Sequence, residues 1–379
     1  MRTPLGFRHV RRCLLALLAV LVLAAPASAA APEVDARAWV VQNGTTGEVL
    51  VQHDADRPVP IASITKLMTV LVALERTDPD DVVVVDKRAA AVGESTIHLR
   101  AGERVTVHDL IEAALIQSAN DAATALALHV SGSIPDFAVL MNRKADQLGL
   151  RDTHFVRPDG LDVAGHVSSA RDVTKLARVA MNDPTVRSIV RLRSADAAGR
   201  HLATWNDLLG HFPGLIGVKT GHTSAAGWSQ VAAARGRGLT LYATVLGAPT
   251  RSSRNTDLSE LLAWGLSRYR IVPVVQEGRV YARAALPYGK APVALVASRG
   301  ALKVVRVEHR LVEHVVAPLS LELPVRKGQR IGAVRVYDGA RLVATRPLVA
   351  RRSVDAPGRM AKVGWYAKET LRNVGGLFS

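Results

Sequence analysis

Ser63-Ile64-Thr65-Lys66 sets a hydroxyl and an amine three residues apart, at the head of a segment whose apolar residues Leu67, Val70, Leu71 and Leu74 recur with helical period. On a helix that spacing puts both side chains on one face. A serine hydroxyl is a poor nucleophile until a neighbour takes its proton, and a lysine can take it once burial and nearby positive charge depress its pKa. The pair would suit a serine nucleophile with an amine as its base, but alone it is a weak signal, and a capping serine beside a solvated lysine is the commoner source of the pattern. Two later motifs offer what such a reaction lacks. Ser118-Ala119-Asn120 brings a second hydroxyl and a carboxamide, and Lys219-Thr220-Gly221 brings a second amine.

The elements around these motifs are readable from periodicity. Residues 38–51 alternate around Asn43-Gly44 and Thr46-Gly47, predicting a hairpin of Ala38–Gln42 and Glu48–Val51. A helix is expected from Ser63 to Glu75, and another over Val107–Ile116 behind the Thr106 and Asp109 cap signal. The Phe137–Leu148 pattern stops at Gly149. Trp228–Ala234 and Leu239–Leu246 read as strands and Asp257–Leu266 as an amphipathic helix, so Arg254 is expected just ahead of that helix. Strand, helices, strands and helix within one unit imply a sheet built from both chain ends with helices packed on it.

Beyond Val272 the texture changes to short runs punctuated by Pro and Gly: Val293–Ala297, Lys303–Val307, Ser320–Leu323 and Ile331–Tyr337, with Asp338-Gly339 turning into Arg341–Thr345. The expected organisation is a segment 1–29, a catalytic domain 33–270, a small β domain 272–352 and a C-terminal amphipathic helix 359–379. On a helical wheel of that last segment Val363, Tyr366, Ala367, Leu371, Val374, Leu377 and Phe378 share one face opposite Lys362, Lys368, Glu369, Arg372 and Asn373, the pattern of an interfacial helix or of one docked on its own protein, with Trp365 on the polar side and Gly375-Gly376 weakening the end.

Arg2, Arg8, Arg11 and Arg12, the apolar run Cys13–Ala25 and Ala27-Ser28-Ala29 read as a secretory signal cleaved near Ala29. Cys13 is the sole cysteine, so a mature chain would have no disulfide, cysteine nucleophile or thiolate metal site. The formal charge of +16 becomes +12 without those four arginines. An exported basic chain suits an anionic envelope. Export, and arginines without aromatic platforms between them, argue against nucleic acid as a partner.

The order S-x-x-K, S-x-N, K-T-G resembles that of the penicillin-recognising serine enzymes. The resemblance narrows to low-molecular-weight penicillin-binding proteins, the serine-type D-alanyl-D-alanine carboxypeptidases. It rests on Pro60–Thr69, Ser118–Ala123, Gly160-Leu161-Asp162, Gly165-His166, Ser168–Asp172 and Gly214–Thr223, and extends through Pro324, Lys327-Gly328-Gln329 and Pro347-Leu348-Val349, covering about residues 35–350. It implies an α+β fold, a β-lactamase/transpeptidase-like antiparallel sheet with flanking helices, plus a small C-terminal all-β domain. No cofactor or metal is implied, and the implied partners are a peptidoglycan stem peptide and β-lactam antibiotics.

The resemblance also implies a division of labour. Ser63 would attack the carbonyl between two D-alanines, Lys66 would accept its proton, and Ser118 would relay that proton to the leaving amine. Asn120 would hold the substrate amide and Lys219 would supply positive potential. The backbone N–H groups of Ser63 and His222, beside Gly221, would face the developing oxyanion, and Thr220, Thr223 and Arg254 would take the terminal carboxylate, with Arg251 as a nearby competitor. A class A-like β-lactamase would add a glutamate for deacylation, and none lies between Ser118 and Lys219. The alternative of a non-catalytic wall-binding or penicillin-sensing protein is disfavoured by the intact Ser63, Lys66 and Lys219 and, for a sensor, by the lack of a spanning segment with an output domain. His154, His166, His201 and His211 lack the spacing of a zinc peptidase.

Overall fold

The computed structural model describes residues 30–375, so the expected secretory signal over residues 1–29 and the last four residues lie outside it. The chain meander Ala38–Asn43, Val49–His53 forms one edge of a five-stranded antiparallel sheet, continued by Leu239–Ala248, Gly227–Gly236 and Leu215–Thr223 in that spatial order. Strands from both ends of the segment thus share one sheet, as the periodicity predicts.

The three inner strands are almost continuously buried, because both sheet faces are covered. Alternate residues serve separate cores. Val40, Val231, Ala233, Tyr242 and Leu246 face a large core shared with the Lys66–Leu74, Asn120–Ser131 and Ala170–Ala180 helices. Trp39, Val41, Ala232, Ala234, Leu241 and Val245 face a smaller one, closed by Leu258, Leu261 and Leu262 of the Arg251–Ser267 helix. Small alanines let helices pack close on both sides of the sheet.

Three expectations near the motifs are corrected. The Ser63 segment is not helical throughout in the α sense: Ala62–Thr65 forms a 3₁₀ turn and the α-helix begins at Lys66. The Val107–Ile116 helix is α only to Glu112 and widens into a π-turn over Ala113–Gln117, which ends with Ser118 in the left-handed region at φ 65°. The Arg251–Ser267 helix starts six residues before the expected Asp257, capped by Thr250 and Ser253, so Arg254 lies in its first turn and not ahead of it. Reciprocal Thr250–Ser253 capping is the local signal that periodicity overlooked.

Past residue 268 the chain builds a second, all-β module. Tyr269–Val275 pairs with Ala301–Arg306, and a five-stranded antiparallel sheet runs in the order Val280–Ala284, Val293–Ala297, Arg341–Ala350, Arg330–Asp338, Leu311–Val316. Val293, Leu295, Val334, Val336 and Leu348 centre its own core. The Asp338-Gly339 turn forms, with Gly339 at φ 58°. Ser320–Leu323 is not a strand: only Ser320 makes a single bridge, to Ala285. The two modules join through Asn43, whose amide donates to Tyr269 Oη at 3.0 Å, and through Arg306, which reaches Glu48 at 2.8 Å. The final helix, Arg359–Gly375, contacts the β module through Tyr288, against which Trp365 and Tyr366 pack edge-on. Among the described residues no single helix is long and apolar enough to cross a membrane.

Candidate active site

The 3₁₀ turn explains how Ser63 meets Lys66. In a 3₁₀ turn side chains at i and i+3 eclipse, and Lys66 Nζ lies 2.7 Å from Ser63 Oγ. The same amine is 2.7 Å from Asn120 Oδ1 and 2.8 Å from the backbone oxygen of Asp159. Two of these three neighbours are carbonyls, which only accept, and the third is a hydroxyl. A neutral amine satisfies that set fully, giving its two hydrogens to the carbonyls and its lone pair to Ser63. Lys66 is completely buried, and desolvation lowers its pKa to about 7 against the pull of the Asp159 and Asp121 carboxylates.

Gly160 is required by that packing. It sits at φ 84°, and a Cβ there would fall 2.1 Å from the Ala62 carbonyl oxygen. Asp159 beside it is fixed by Arg157, at 2.5 Å, so the carbonyl holding Lys66 cannot wander. His166 supports the turn from behind. Its Nδ1 accepts the Val156 N–H at 3.0 Å, which leaves Nε2 to donate to Thr65 Oγ1 at 2.8 Å, and burial pushes its pKa down to about 4, so the ring is neutral.

Ser118, thrown inward by the π-turn, accepts from Lys219 Nζ at 2.8 Å. Asn120 opens the Asn120–Ser131 helix, which periodicity did not reveal because it is buried nearly all round. Its side chain and backbone N–H hold Gly93 and Ser95, and the neighbouring Asp121 carboxylate accepts from the N–H groups of Ile97 and Leu99. The loop 93–99 is thereby tied to the second motif.

Lys219, Thr220 and Gly221 lie on Leu215–Thr223, the edge strand of the sheet. The absence of a side chain at Gly221 lets this strand run against the Ser63 turn: a Cβ there would lie 2.7 Å from Ile61 O and 3.1 Å from Ser63 N. Lys219 is also fully buried, and its pKa is lowered by desolvation first, then by the charges of Lys66 and Arg254. A cavity of about 240 Å³ opens over the assembly, lined by Ser63, Ser118, Thr220, Gly221, His222 and Arg254, and also by Glu94, Ser95, Trp205 and Trp228. The last four were not singled out from sequence. Trp228 carries a legible purpose only in three dimensions, stacking on His222 with centroids 4.0 Å apart and lying 5.8 Å beneath the Arg254 guanidinium.

Arg254 is 1% exposed, and burial lowers its pKa to about 10, which leaves it charged. Its competitor Arg251 is turned to Asp207 and stacks over Trp205 at 5.4 Å. Thr223 also has partners within the chain: its hydroxyl donates to Asp162 at 2.6 Å and accepts from Ala226 N–H, contacts that fix the end of the strand. All ten expected site residues occur around one cleft, Thr223 at its margin.

A serine and a buried lysine lie at hydrogen-bond distance, on an α+β fold with a groove beside an edge strand, the arrangement a serine-type hydrolase needs. The family model for D-alanyl-D-alanine carboxypeptidase matches residues 25–250, and that for the C-terminal domain of penicillin-binding protein 5 matches residues 269–356. A D-alanyl-D-alanine carboxypeptidase from Salmonella typhimurium is 34% identical over 352 residues, covering 88% of this chain and 90% of the relative. The crystal structure of penicillin-binding protein 6B from Escherichia coli superposes with a TM-score of 0.65 at 31% identity, over 86% of this chain and 98% of that one. A Streptomyces K15 DD-transpeptidase mutant gives 0.60 at 31% identity, over 62% of this chain and 99% of that one. The chain belongs to the D-alanyl-D-alanine carboxypeptidase family, and it is a serine-type carboxypeptidase.

Proposed function

We propose that Ser63 carries the reaction as nucleophile and Lys66 as its base, cutting the terminal D-Ala-D-Ala bond of peptidoglycan stem pentapeptides. The observation that supports this most directly is the buried amine of Lys66, 2.7 Å from Ser63 Oγ, with a pKa lowered to about 7. As Ser63 Oγ bonds to the penultimate carbonyl carbon, its proton passes to Lys66 Nζ. The oxyanion is met by the N–H groups of Ser63 and His222, a type of contact worth about 3 kcal/mol per donor. Collapse breaks the C–N bond, and the D-alanine nitrogen receives a proton by way of Ser118, whose hydroxyl Lys219 Nζ holds at 2.8 Å. Water then adds to the ester and restores Ser63. Asn120 holds the substrate amide, and Lys219, Thr220 and Arg254 take the negative charge of its terminal carboxylate. A β-lactam follows the same first step, its ring opening onto Ser63.

The test is D-alanine release from a pentapeptide, with covalent penicillin labelling alongside. Ser63→Ala should remove both and leave the thermal transition in place; either activity surviving in the purified variant refutes the assignment.

The chain is further read as exported, cleaved near Ala29, and held at a membrane surface by its last helix. Met360, Val363 and Leu371 are 85%, 64% and 73% exposed, apolar side chains that the β module leaves uncovered. Residues 269–356 add a net charge of +10, suited to anionic headgroups. Processing is checked by mass spectrometry of the N-terminus from envelope fractions, where an intact Met1 would overturn the cleavage.

A further inference from the structure

Asp207 is an acid placed where a carboxylate-binding site should least want one. It lies on the segment leading into the Leu215–Thr223 strand, two residues after Trp205 of the cavity wall, and its side chain is one-third exposed. Its two oxygens gather the start of the Arg251–Ser267 helix. Arg251 Nε reaches Oδ2 at 2.7 Å while Arg251 Nη2 donates to Oδ1; Asn255 Nδ2 reaches Oδ2 at 2.9 Å and Arg254 Nη2 at 3.1 Å. Asn255 then returns its Oδ1 to Arg254, accepting from Nε at 3.1 Å and Nη2 at 2.6 Å.

The consequence is a sorting of two arginines. Arg251 gives the Nε–Nη2 edge of its fork to Asp207 and is stacked on Trp205. Arg254 is held through Nε and Nη2, by Asn255 and Asp207, and the Trp228 ring lies beneath the guanidinium. Among the described residues Nη1 takes no hydrogen bond, and Arg254 lines the cavity together with Ser63 and Thr220. A guanidinium on a flexible stem loses several rotamers when it is fixed, and a site that fixes it beforehand binds more tightly.

We propose that Asp207 is the positioning residue for the terminal carboxylate of the substrate: it holds Arg254 in its binding rotamer through the Asn255 relay and keeps Arg251 out of the site. This rests on the reading of Arg254 as the carboxylate anchor, which the same experiment examines separately. Electrostatics alone gives the opposite sign, because removing a negative charge next to Arg254 would make the pocket more attractive to an anion. Geometry and charge therefore predict different outcomes for one substitution.

The measurement is kcat and KM for a D-Ala-D-Ala-terminated pentapeptide and for its C-terminal amide, in wild type, Arg254→Met, Asp207→Asn and Asp207→Glu, with thermal melting as the fold control. Arg254→Met should erase the preference for the free acid; if the preference persists, the anchor assignment is at fault. With that preference lost in Arg254→Met, Asp207→Asn should raise KM for the acid about tenfold, change kcat less than threefold and leave the amide unaffected, and Asp207→Glu should recover most of the loss. An unchanged or lowered KM for the acid in Asp207→Asn, or an equal loss on acid and amide, overturns the positioning role.

Discussion

Residues 30–268 carry 25 Lys and Arg against 26 Asp and Glu, whereas residues 269–356 carry 16 against 6. The near-neutral module nonetheless gathers three basic side chains at its cleft, Lys66, Lys219 and Arg254, each at most 2% exposed. Fourteen of the sixteen cations in the basic module are exposed. The same groups are thus used in two opposite solvents. Stripped of water, an amine becomes a tunable base; hydrated, a guanidinium contributes only to a diffuse field that salt screens. The pI reports the second population and says nothing about the first.

The sharpest way to break this comparison is Lys66→Arg. It keeps roughly the length but fixes a positive charge there, because guanidinium cannot give up its proton in a protein. Acylation measured by penicillin labelling should fall by about 10²–10⁴-fold, the usual worth of a positioned base. A loss under tenfold would mean that positive charge alone, not proton acceptance, is what Lys66 supplies.

The pH profile follows from the same burial. Lys66 must be neutral to act and its pKa is about 7, so kcat/KM for the pentapeptide should drop about tenfold per pH unit below 7 and level off above it. Entry of the substrate carboxylate adds negative charge, which favours the protonated amine, so the midpoint for kcat should lie above that for kcat/KM. A profile flat from pH 5 to 8 would remove Lys66 from the proton path.

For the exposed population the expected effects are smaller and depend on salt. Ending the chain after residue 356 removes the Arg359–Gly375 helix and its exposed Met360, Val363 and Leu371. Hydrolysis of a soluble pentapeptide should stay within twofold, while co-sedimentation with vesicles containing anionic lipid should fall severalfold. What binding remains through the +10 module should vanish by about 0.5 M salt, as expected for screened surface charge. Equal sedimentation of both forms would deny the tail any membrane role.

Much of the catalytic face was legible because its spacing is chemical. Ser63–Lys66 is a one-turn relation, and the strands Gly227–Gly236 and Leu239–Ala248 announced themselves by composition. What stayed hidden is of three kinds. The Asn120–Ser131 helix lies against other elements on most sides and shows no polar stripe to betray its period, whereas the Ala170–Ala180 helix carries Arg171, Lys175 and Arg178 on one face and was simply not read. Ser118 owes its position to a π-turn, and Asp207 and Trp228 owe theirs to tertiary contacts made across dozens of residues. No local pattern encodes either. The edge strand Leu311–Val316 was missed for a third reason: exposed along most of its length, it alternates weakly and resembles a loop.

The seam between the modules gives the smallest effect and the cleanest control. Tyr269 Oη accepts from Asn43 Nδ2 at 3.0 Å and donates to Glu48 Oε2 at 3.2 Å, while Arg306 reaches Glu48 Oε1 from the β module. Tyr269 is 3% exposed and Asn43 5% exposed, so Tyr269→Phe leaves a buried amide donor without its acceptor, at a cost of about 1–3 kcal/mol. The ring itself is retained, so packing against the smaller core should survive. If the modules unfold as one cooperative body, a single transition should shift down by a few degrees. If the seam is weak, the β module should melt first and alone, visible as a split calorimetric peak. In both cases kcat/KM should be unchanged, because none of these groups touches Ser63, Lys66 or the cavity over them. A Tyr269→Phe enzyme with impaired D-alanine release would instead couple the basic module to the chemistry, and the division between buried and hydrated cations would no longer be a division of labour.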